Sequence, residues 1–354
     1  MDPRLLVTET TAQAVLTALR SGKIKQGLWI RGSRLGDFLF TLPTLAAFQE
    51  RWPEVRLSLL TNAYTRELAR LCPLVEKIIV FAGKEASLAG REGARIAKRL
   101  SEELGHCQLL LAPRPRPELP AIAETLGIPF LFPGRTRQER SRDRHVVLQT
   151  WERFEGLDLP PPGPITLLPP QEGHPILQEL PRPPVLLHPG CDESARWKLR
   201  RGVARRLWPW EHWRSLALGL RERGQIPIFL SGSKHEGRWV GRFLARSRLN
   251  LPHLHGLPLE LLAGTMAQSA GLVGVDSGPF HLATALGIPS VGLYGPSPAS
   301  YTGPWSPSGS STVLQKPLPC SPCQGKGVHC PKNVCMEEIR PEEVLEALLR
   351  KIPA

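Results

Sequence analysis

The feature that most constrains the fold is a proline-dense segment between two runs of alternating strand-like and helix-like sequence. Residues 159–184 contain LPPPGP, LPP and PRPP. Because proline fixes φ and has no amide hydrogen, this density excludes helices and central strands. On both sides of the segment, short apolar strands alternate with helices, a pattern typical of parallel sheets covered by helices. The sequence therefore predicts an α/β protein with two doubly wound, Rossmann-like domains.

The domain boundaries follow from this segment. With 354 residues, the chain is long enough for two domains that each have a core. We predict an N-terminal extension, a first domain, a linker, a second domain and a C-terminal helix, at residues 1–26, 27–160, 161–184, 185–335 and 336–354. Ligands of doubly wound sheets bind beyond the carboxyl ends of the strands, so two such domains facing a central cleft would each bind one substrate.

Composition and charge narrow the function classes. No run of 18 apolar residues is present, and residues 1–23 lack the apolar centre of a signal peptide, so we expect a cytoplasmic protein. The net charge of +13 indicates an anionic partner, namely nucleic acid, an anionic membrane face or phosphorylated substrates, unless it reflects only a solvated arginine-rich surface. No nucleic-acid-binding motif accompanies the charge, so a basic nucleic-acid-binding protein is the less favoured alternative.

Residues 271–297 carry the most chemical information. A buried strand ends before Asp276 and Ser277, and Pro279 suits the first turn of a helix because that turn does not need its amide hydrogen. Free amides at such a helix start bind phosphate with help from the helix dipole. The amides expected to do so are those of Gly278, Phe280 and His281. The Asp276 carboxylate suits sugar hydroxyls, but the alternative that Asp276 or Ser277 simply caps the helix stays open.

A second candidate lies after the first strand, in the sequence RGSRLGD at residues 31–37. Gly32 and Gly36 allow a tight turn, and Asp37 would then stand at the start of the next helix. A carboxylate in that place could take a proton from an attacking hydroxyl. The alternative is again a helix-capping role.

Two further segments suit a nucleotide diphosphate. The turn HPG at residues 188–190 ends a strand and precedes a basic loop, whose cations suit a pyrophosphate unless the loop is merely solvated. The basic residues of this loop are Arg196, Lys198, Arg200, Arg201, Arg205 and Arg206. Glu236, at the start of a later helix, could bind ribose hydroxyls or could only interact with the helix dipole.

Residues 271–297 resemble, in order, the hallmark of glycosyltransferase family 9, the lipopolysaccharide heptosyltransferases. The matching residues are Asp276, Ser277, Gly278, Pro279, His281, Leu282, Ala283, Ala285, Leu286, Gly287, Pro289, Leu293, Tyr294 and Gly295. The segment RGSRLGDFLFTLPTLAAF is similar to the family's opening motif, and HPG at 188–190 and Trp208–Pro209 are similar to its donor loop. The C-terminal pattern C-x-P-C…C…CM…I-x-P-E-x-V also resembles many members, and the resemblance runs from about residue 27 to the end.

The resemblance implies a GT-B fold and an inverting transfer of heptose, or a related sugar, from an ADP-sugar to a lipopolysaccharide core acceptor. Asp37 would be the general base, Asp276 would hold the donor sugar, and the amides of Gly278 and His281 would bind the diphosphate. No catalytic metal or cofactor is expected. Other donor-binding residues would be His188, Gly190, Glu236 and Ser277, with Arg206 or Lys198 as the diphosphate cation. A transferase of the same fold that uses another nucleotide sugar for a different surface glycan is the alternative.

The candidate residues for binding the acceptor are arginines. The run RTRQERSRDR at residues 135–144 would meet the phosphates or carboxylates of a glycolipid, or the anionic inner face of the membrane, unless it is a solvated loop. We assign Arg34, Arg135 and Arg137 to acceptor binding. Peripheral membrane contact is therefore expected.

Four cysteines near the C-terminus have the spacing C-x2-C-x6-C-x4-C. They are Cys320, Cys323, Cys330 and Cys335. Such thiols could hold a structural zinc ion or an iron–sulfur cluster, or could remain reduced or form one local disulfide. We assign them no part in catalysis.

Overall fold

The computed structural model describes residues 9–83, 87–88, 90–114, 116–132, 142–191, 206–305, 309–323 and 333–352. The chain divides into two compact units, each built on its own parallel sheet. The first unit comprises Met1–Ser141 and Val146–Leu168, and the second comprises Arg142–His145 and Pro169–Ala354. The predicted α/β class with two doubly wound sheets is therefore confirmed. Within the described ranges, no helix combines the length and apolarity needed to cross a bilayer.

The sheet of the first unit has five parallel strands in the order β3-β2-β1-β4-β5. The strands are β1 Gln26–Ile30, β2 Arg56–Asn62, β3 Lys77–Phe81, β4 Leu109–Leu111 and β5 Phe130–Phe132. The helices are α1 Glu9–Arg20, α2 Leu35–Leu39, α3 Leu42–Arg51, α4 Arg66–Ala69, α5 Arg91–Leu104, α6 Leu119–Thr125 and α7 Val146–Glu152. Helix α1 comes from the predicted N-terminal extension and packs against β5.

The segment from Phe38 to Arg51 is divided between two helices, because the chain breaks at Phe40 and Thr41. The proline at position 43 explains the break. Proline has no amide hydrogen, and its ring clashes with the carbonyl four residues earlier, so a continuous helix cannot pass through it and Pro43 lies in the first turn of α3. As a result α2 is short and places Asp37 close to the end of β1.

The sheet of the second unit has six parallel strands in the order β11-β10-β9-β6-β7-β8. The strands are β6 Val185–His188, β7 Pro227–Ser231, β8 His253–His255, β9 Gly271–Val275, β10 Ser290–Tyr294 and β11 Ser311–Gln315. The helices are α8 Trp210–Glu222, α9 Lys234–Ser247, α10 Leu259–Ala267, α11 Gly278–Ala285, α12 Ala299–Thr302, α13 Val334–Glu337 and α14 Pro341–Leu349.

Burial on both faces explains why the central strands read as continuous apolar runs. All five residues of β9 and of β10 are buried. In the first unit, the Phe154 ring stacks at 5.2 Å on Trp29 and at 5.4 Å on Phe132. In the second unit, Trp208 and Trp213 meet edge to face at 5.0 Å, and the Trp208 indole N–H donates to the Ile339 carbonyl at 2.9 Å. The last bond ties the C-terminal helices to the chain just after Arg206.

The proline-rich segment does not lie wholly between the units. Its later residues pack on α10, where the Thr265 hydroxyl accepts from the His174 amide at 2.9 Å. The carbonyl oxygen of Glu172 approaches α10 so closely that a Cβ at position 264 would lie 2.0 Å from it, which explains the glycine there. From Pro169 onward the segment is part of the second unit.

Candidate functional site

The candidate site lies at the carboxyl edge of the second sheet, where β6 and β9 are neighbours. His188 ends β6, and Asp276 and Ser277 directly follow β9. The register brings these ends together, so that the Ser277 hydroxyl lies 3.3 Å from Nδ1 of His188. The sequence placed each segment after a strand of a parallel sheet, and the pairing of β6 with β9 brings the two together.

Asp276 is the centre of this edge. Its carboxylate is buried, with Oδ1 3.2 Å from Nε2 of His281 and Oδ2 3.3 Å from a guanidinium nitrogen of Arg206. Burial raises the pKa of Asp276, but the hydrogen bond from His281, the charge of Arg206 and a hydrogen bond from Ser297 outweigh it and lower the pKa below its ordinary value. The carboxylate is therefore ionised, and it holds a cation in place.

Tyr294 completes the surroundings of this carboxylate. Its ring is fully buried at the end of β10, and its hydroxyl donates to the Thr302 carbonyl at 2.7 Å. Burial and the neighbouring negative charge of Asp276 raise the pKa of Tyr294 well above its ordinary value. Tyr294 thus stays neutral, and the sequence alone assigned it no role beyond a place in the family hallmark.

Helix α11 begins differently from the prediction. Ser277 is its N-cap residue in an extended conformation, yet its side chain makes no capping hydrogen bond, so the capping alternative is wrong for Ser277. The prediction that the amide of His281 is free for phosphate is also wrong, because it donates to the Ser277 carbonyl at 3.1 Å. His281 is the fourth residue of the helix, where the regular hydrogen-bond ladder starts.

The first amides of α11 remain available. Among the described residues, no acceptor takes the amide hydrogens of Gly278 or Phe280. Pro279, between them, has none to offer. These two amides, rather than three, are the donors that α11 presents together with the positive end of its dipole.

Arg206 is the cation that the structure places at this edge. Besides its ion pair, the guanidinium lies 3.4 Å from the Asp276 carbonyl oxygen, and its side chain is 36% exposed. A guanidinium carries five N–H donors in a planar fork, so one that contacts a carboxylate can also contact a phosphate. The other candidate cation, Lys198, lies outside the described residues, as do the remaining basic residues of that loop.

Glu236 closes the site on the β7 side. It is buried in the first turn of α9, and its Oε2 accepts from the amides of Gly232 at 3.0 Å and Ser233 at 3.2 Å. With the Ser233 hydroxyl it forms a capping box. The contacts of Glu236 are thus those of a residue that stabilises the start of a helix. A Cβ at Gly190 would lie 2.7 Å from Cδ of Glu236, so a larger residue there would have to displace that side chain. Ribose binding by Glu236 stays a prediction.

His188 is neutral in this setting. It is completely enclosed, and burial lowers its pKa even though the charge of Glu236 acts in the opposite direction. A neutral imidazole bonded to Ser277 serves to fix the turn between β9 and α11. It adds no positive charge to the site.

In the first unit, Asp37 lies in the first turn of α2 with an exposed side chain. It does not cap the helix, because the N-cap residue is Arg34 and no side chain caps it. The Arg31 guanidinium donates to the Asp37 backbone oxygen at 3.1 Å, which fixes the turn that carries the carboxylate. Arg34 is exposed, whereas Arg135 and Arg137 lie outside the described residues.

The described cysteines near the C-terminus are not disulfide-bonded. Cys320 is exposed, Cys323 is partly exposed and Cys335 is buried, while Cys330 lies outside the described residues. In the ranges that the structure covers, no three His, Cys, Asp or Glu side chains group as metal ligands. A zinc or iron–sulfur site at all four thiols stays a prediction.

Sequence reasoning missed one supporting residue. Asn333, just before α13, donates from its side-chain amide to the Leu207 carbonyl at 2.8 Å, next to Arg206. Helix α13 also packs on the end of β10. A Cβ on Gly295, just after β10, would lie 2.8 Å from the sulfur of Cys335 and 2.6 Å from that of Met336 in α13. No sequence pattern predicts the Asn333–Leu207 hydrogen bond, since the two residues are 126 positions apart.

Two doubly wound units and a basic, amide-lined sheet edge define the class of GT-B proteins. A model of glycosyltransferase family 9 (heptosyltransferase) matches residues 172–333. Lipopolysaccharide heptosyltransferase 1 of Pseudomonas aeruginosa is 38% identical over 120 residues, 34% of this chain and 33% of that protein. Over these regions the chain is similar to glycosyltransferase family 9. The aligned region spans about a third of that curated relative's length.

Solved structures agree over a larger share of the chain. The family 9 glycosyl transferase of Veillonella parvula superposes with a TM-score of 0.73 at 18% identity, covering 92% of this chain and 96% of that one. The E. coli heptosyltransferase WaaC with ADP gives a TM-score of 0.65 at 19% identity, covering 92% and 99%. At these identities the likeness shows the fold, and the GT-B prediction is confirmed.

Proposed function

We propose that this protein transfers heptose from ADP-heptose to the core of a lipopolysaccharide acceptor, with inversion at the anomeric carbon. The observation that carries the proposal is the edge of the second sheet, where the ionised Asp276 holds Arg206 beside the unpaired amides of Gly278 and Phe280. Such a group of donors suits a diphosphate that gains charge as it departs. The related structure solved with ADP supports the choice of nucleotide.

In the proposed reaction, a hydroxyl oxygen of the acceptor attacks the anomeric carbon of the donor as the bond from that carbon to the diphosphate oxygen breaks. Asp37 takes the hydroxyl proton, and ADP leaves with the electron pair of the broken bond. One displacement inverts the configuration. Asp37 suits the part of base because its carboxylate is exposed and is not used to cap α2.

On the donor side, the amides of α11 and the Arg206 guanidinium would stabilise the departing diphosphate without a metal ion. Asp276 has partners on both carboxylate oxygens, so its contacts favour positioning of Arg206 and His281. Direct contact between Asp276 and the donor sugar stays a prediction. The acceptor contacts of Arg34, Arg135 and Arg137, and a structural metal at the four cysteines, also remain proposals.

Calorimetric titration tests the donor directly. We expect ADP-heptose to bind more tightly than UDP- or GDP-sugars, and ADP to compete with it. Transfer to a heptose-free lipopolysaccharide core should follow when the acceptor is added. If none of these nucleotide sugars binds, the proposal fails. If another nucleotide sugar binds best, the alternative of a different surface glycan replaces it.

A further inference from the structure

Helix α9 of the second unit exposes a row of basic side chains. They recur at every fourth residue, so they follow one another along the outer face of the helix. The four side chains, all exposed, are Lys234, Arg238, Arg242 and Arg246. From first to last they span about 18 Å at the rise of an α-helix. Arg248, the exposed C-cap residue, extends the row. These five residues are the α9 basic face.

No carboxylate balances this face. The one acidic residue of α9 is Glu236, which is buried and bonded to the backbone at the helix start. Within the described ranges, none of the five cations forms an ion pair. Helix α5 of the first unit shows the contrast, because Arg95 pairs with Glu92 and Arg99 pairs with Glu103 there.

The stability of the helix does not explain the row. Like charges four residues apart repel one another, and the row contains three such neighbouring pairs. Lys234 also lies in the first turn, where the helix dipole disfavours a cation. Only Arg246 and Arg248, near the C-terminus of the helix, interact favourably with the helix dipole. An anionic partner laid along the face would offset the repulsion.

Two tryptophans border the α9 basic face. Trp239 lies between Arg238 and Arg242 in sequence and at the edge of the exposed arc, and its ring centre is 4.3 Å from that of Trp210 in α8. Both side chains are partly exposed. Trp210 also stacks on Phe243 at 4.1 Å, which anchors the pair to the core. Tryptophan beside arginine and lysine is typical of surfaces that meet lipid headgroups.

We propose that the α9 basic face docks on an anionic phospholipid surface, with Trp210 and Trp239 at the level of the headgroups. Arginine can also contact nucleic-acid phosphates and guanine, so nucleic acid is the competing occupant. We favour lipid because two tryptophans border the face and pack on each other. The inference goes beyond the proposed transfer reaction and does not depend on it, since it requires neither donor nor acceptor.

The test is co-sedimentation of the full chain with vesicles. One set contains phosphatidylcholine alone, and the other contains about one third phosphatidylglycerol, at an ionic strength of about 0.1 M. The test variant is Arg238→Gln/Arg242→Gln/Arg246→Gln. The matched control is Arg56→Gln/Arg91→Gln/Lys98→Gln, which removes the same charge from exposed positions of the first unit.

We expect the wild type and the control to bind the anionic vesicles and not the neutral ones. The test variant should lose affinity at least about tenfold, since each basic side chain at an anionic surface contributes several-fold to binding. Circular dichroism should show both variants folded, and titration with ADP-heptose should give wild-type affinity for both, which separates this result from the donor site.

Three outcomes would overturn the docking proposal. In the first, the wild type does not sediment with anionic vesicles. In the second, test and control variants lose equal affinity, which would mean that net charge alone acts. In the third, duplex DNA competes the protein off the vesicles and binds more tightly than they do, which would assign the face to nucleic acid.

Discussion

Nε2 of His281 lies 3.2 Å from Oδ1 of Asp276, and the two residues are joined by the first turn of α11. An ionised carboxylate only accepts hydrogen bonds, so the imidazole must donate from Nε2. This contact makes the loop before the helix and the helix itself one rigid element. It also leaves Oδ2 of Asp276 for Arg206, so the imidazole and the guanidinium hold the same carboxylate from two sides.

Asp276→Asn tests the value of this contact. The folded protein lowers the pKa of Asp276 below its ordinary value of 3.8, so the unfolded state binds a proton more readily. The resulting stability is present above the ordinary pKa and is lost as the pH falls through the lower, folded value. We expect Asp276→Asn to cost about 1–3 kcal/mol at neutral pH, because His281 and Arg206 lose a charged acceptor.

Urea unfolding at several pH values measures this effect. The difference in stability between wild type and Asp276→Asn should shrink as the pH falls below about 4. Glu211→Gln, an exposed change in the first turn of α8, is the control and should lie within about 0.5 kcal/mol of wild type. A constant difference across the pH range would contradict the ionised state of Asp276.

Asp37→Asn should remove turnover and leave the fold intact. The side chain is exposed and caps nothing, so the melting temperature should not change. Loss of a general base predicts a fall in kcat of about 100- to 10,000-fold. Steady-state kinetics with Glu54→Gln, an exposed acidic residue of the same unit, as the control measures this fall. Full activity in Asp37→Asn would exclude Asp37 as the base.

Arg206→Lys and Lys198→Gln together identify the diphosphate cation. Lysine keeps the positive charge but has no planar fork that could contact Asp276 and a phosphate at once. We expect Arg206→Lys to weaken donor binding about tenfold and Arg206→Gln to weaken it further. Calorimetry with ADP provides the measurement. A large effect of Lys198→Gln beside wild-type affinity in Arg206→Lys would transfer the role to Lys198.

Gly190→Ala should destabilise the protein, because the new methyl group would lie 2.7 Å from Cδ and from Oε1 of Glu236. Overpacking of this kind costs about 1–3 kcal/mol. A double-mutant cycle with Glu236→Ala tests the cause, since removal of the Glu236 side chain should recover most of the loss. If Glu236→Ala and Gly190→Ala are additive in urea unfolding, the close approach is not the reason for glycine at 190.

Most strands could be predicted from sequence because apolar runs and turn residues are local signals, but β8 and β11 were not predicted. Strand alternation predicts two parallel sheets and the turn after β9. The pairing of β6 with β9, which brings His188 beside Ser277, is seen only in the structure. The break before α3 and the start of α11 were harder to predict from the sequence. Each depends on one or two hydrogen bonds at a helix end, where the pattern of apolar residues does not change.

The sequence by itself determined the α/β class, the two sheets and the segments that meet at their carboxyl edges, because these depend on periodicity and on proline and glycine positions. Only the tertiary structure decided which amides of α11 are free, that the Asp276 carboxylate contacts both His281 and Arg206, and that Asn333 bonds beside Arg206. Those results depend on contacts between residues up to 126 positions apart. Such pairs come together only through the packing of the whole unit, which no local pattern in the chain records.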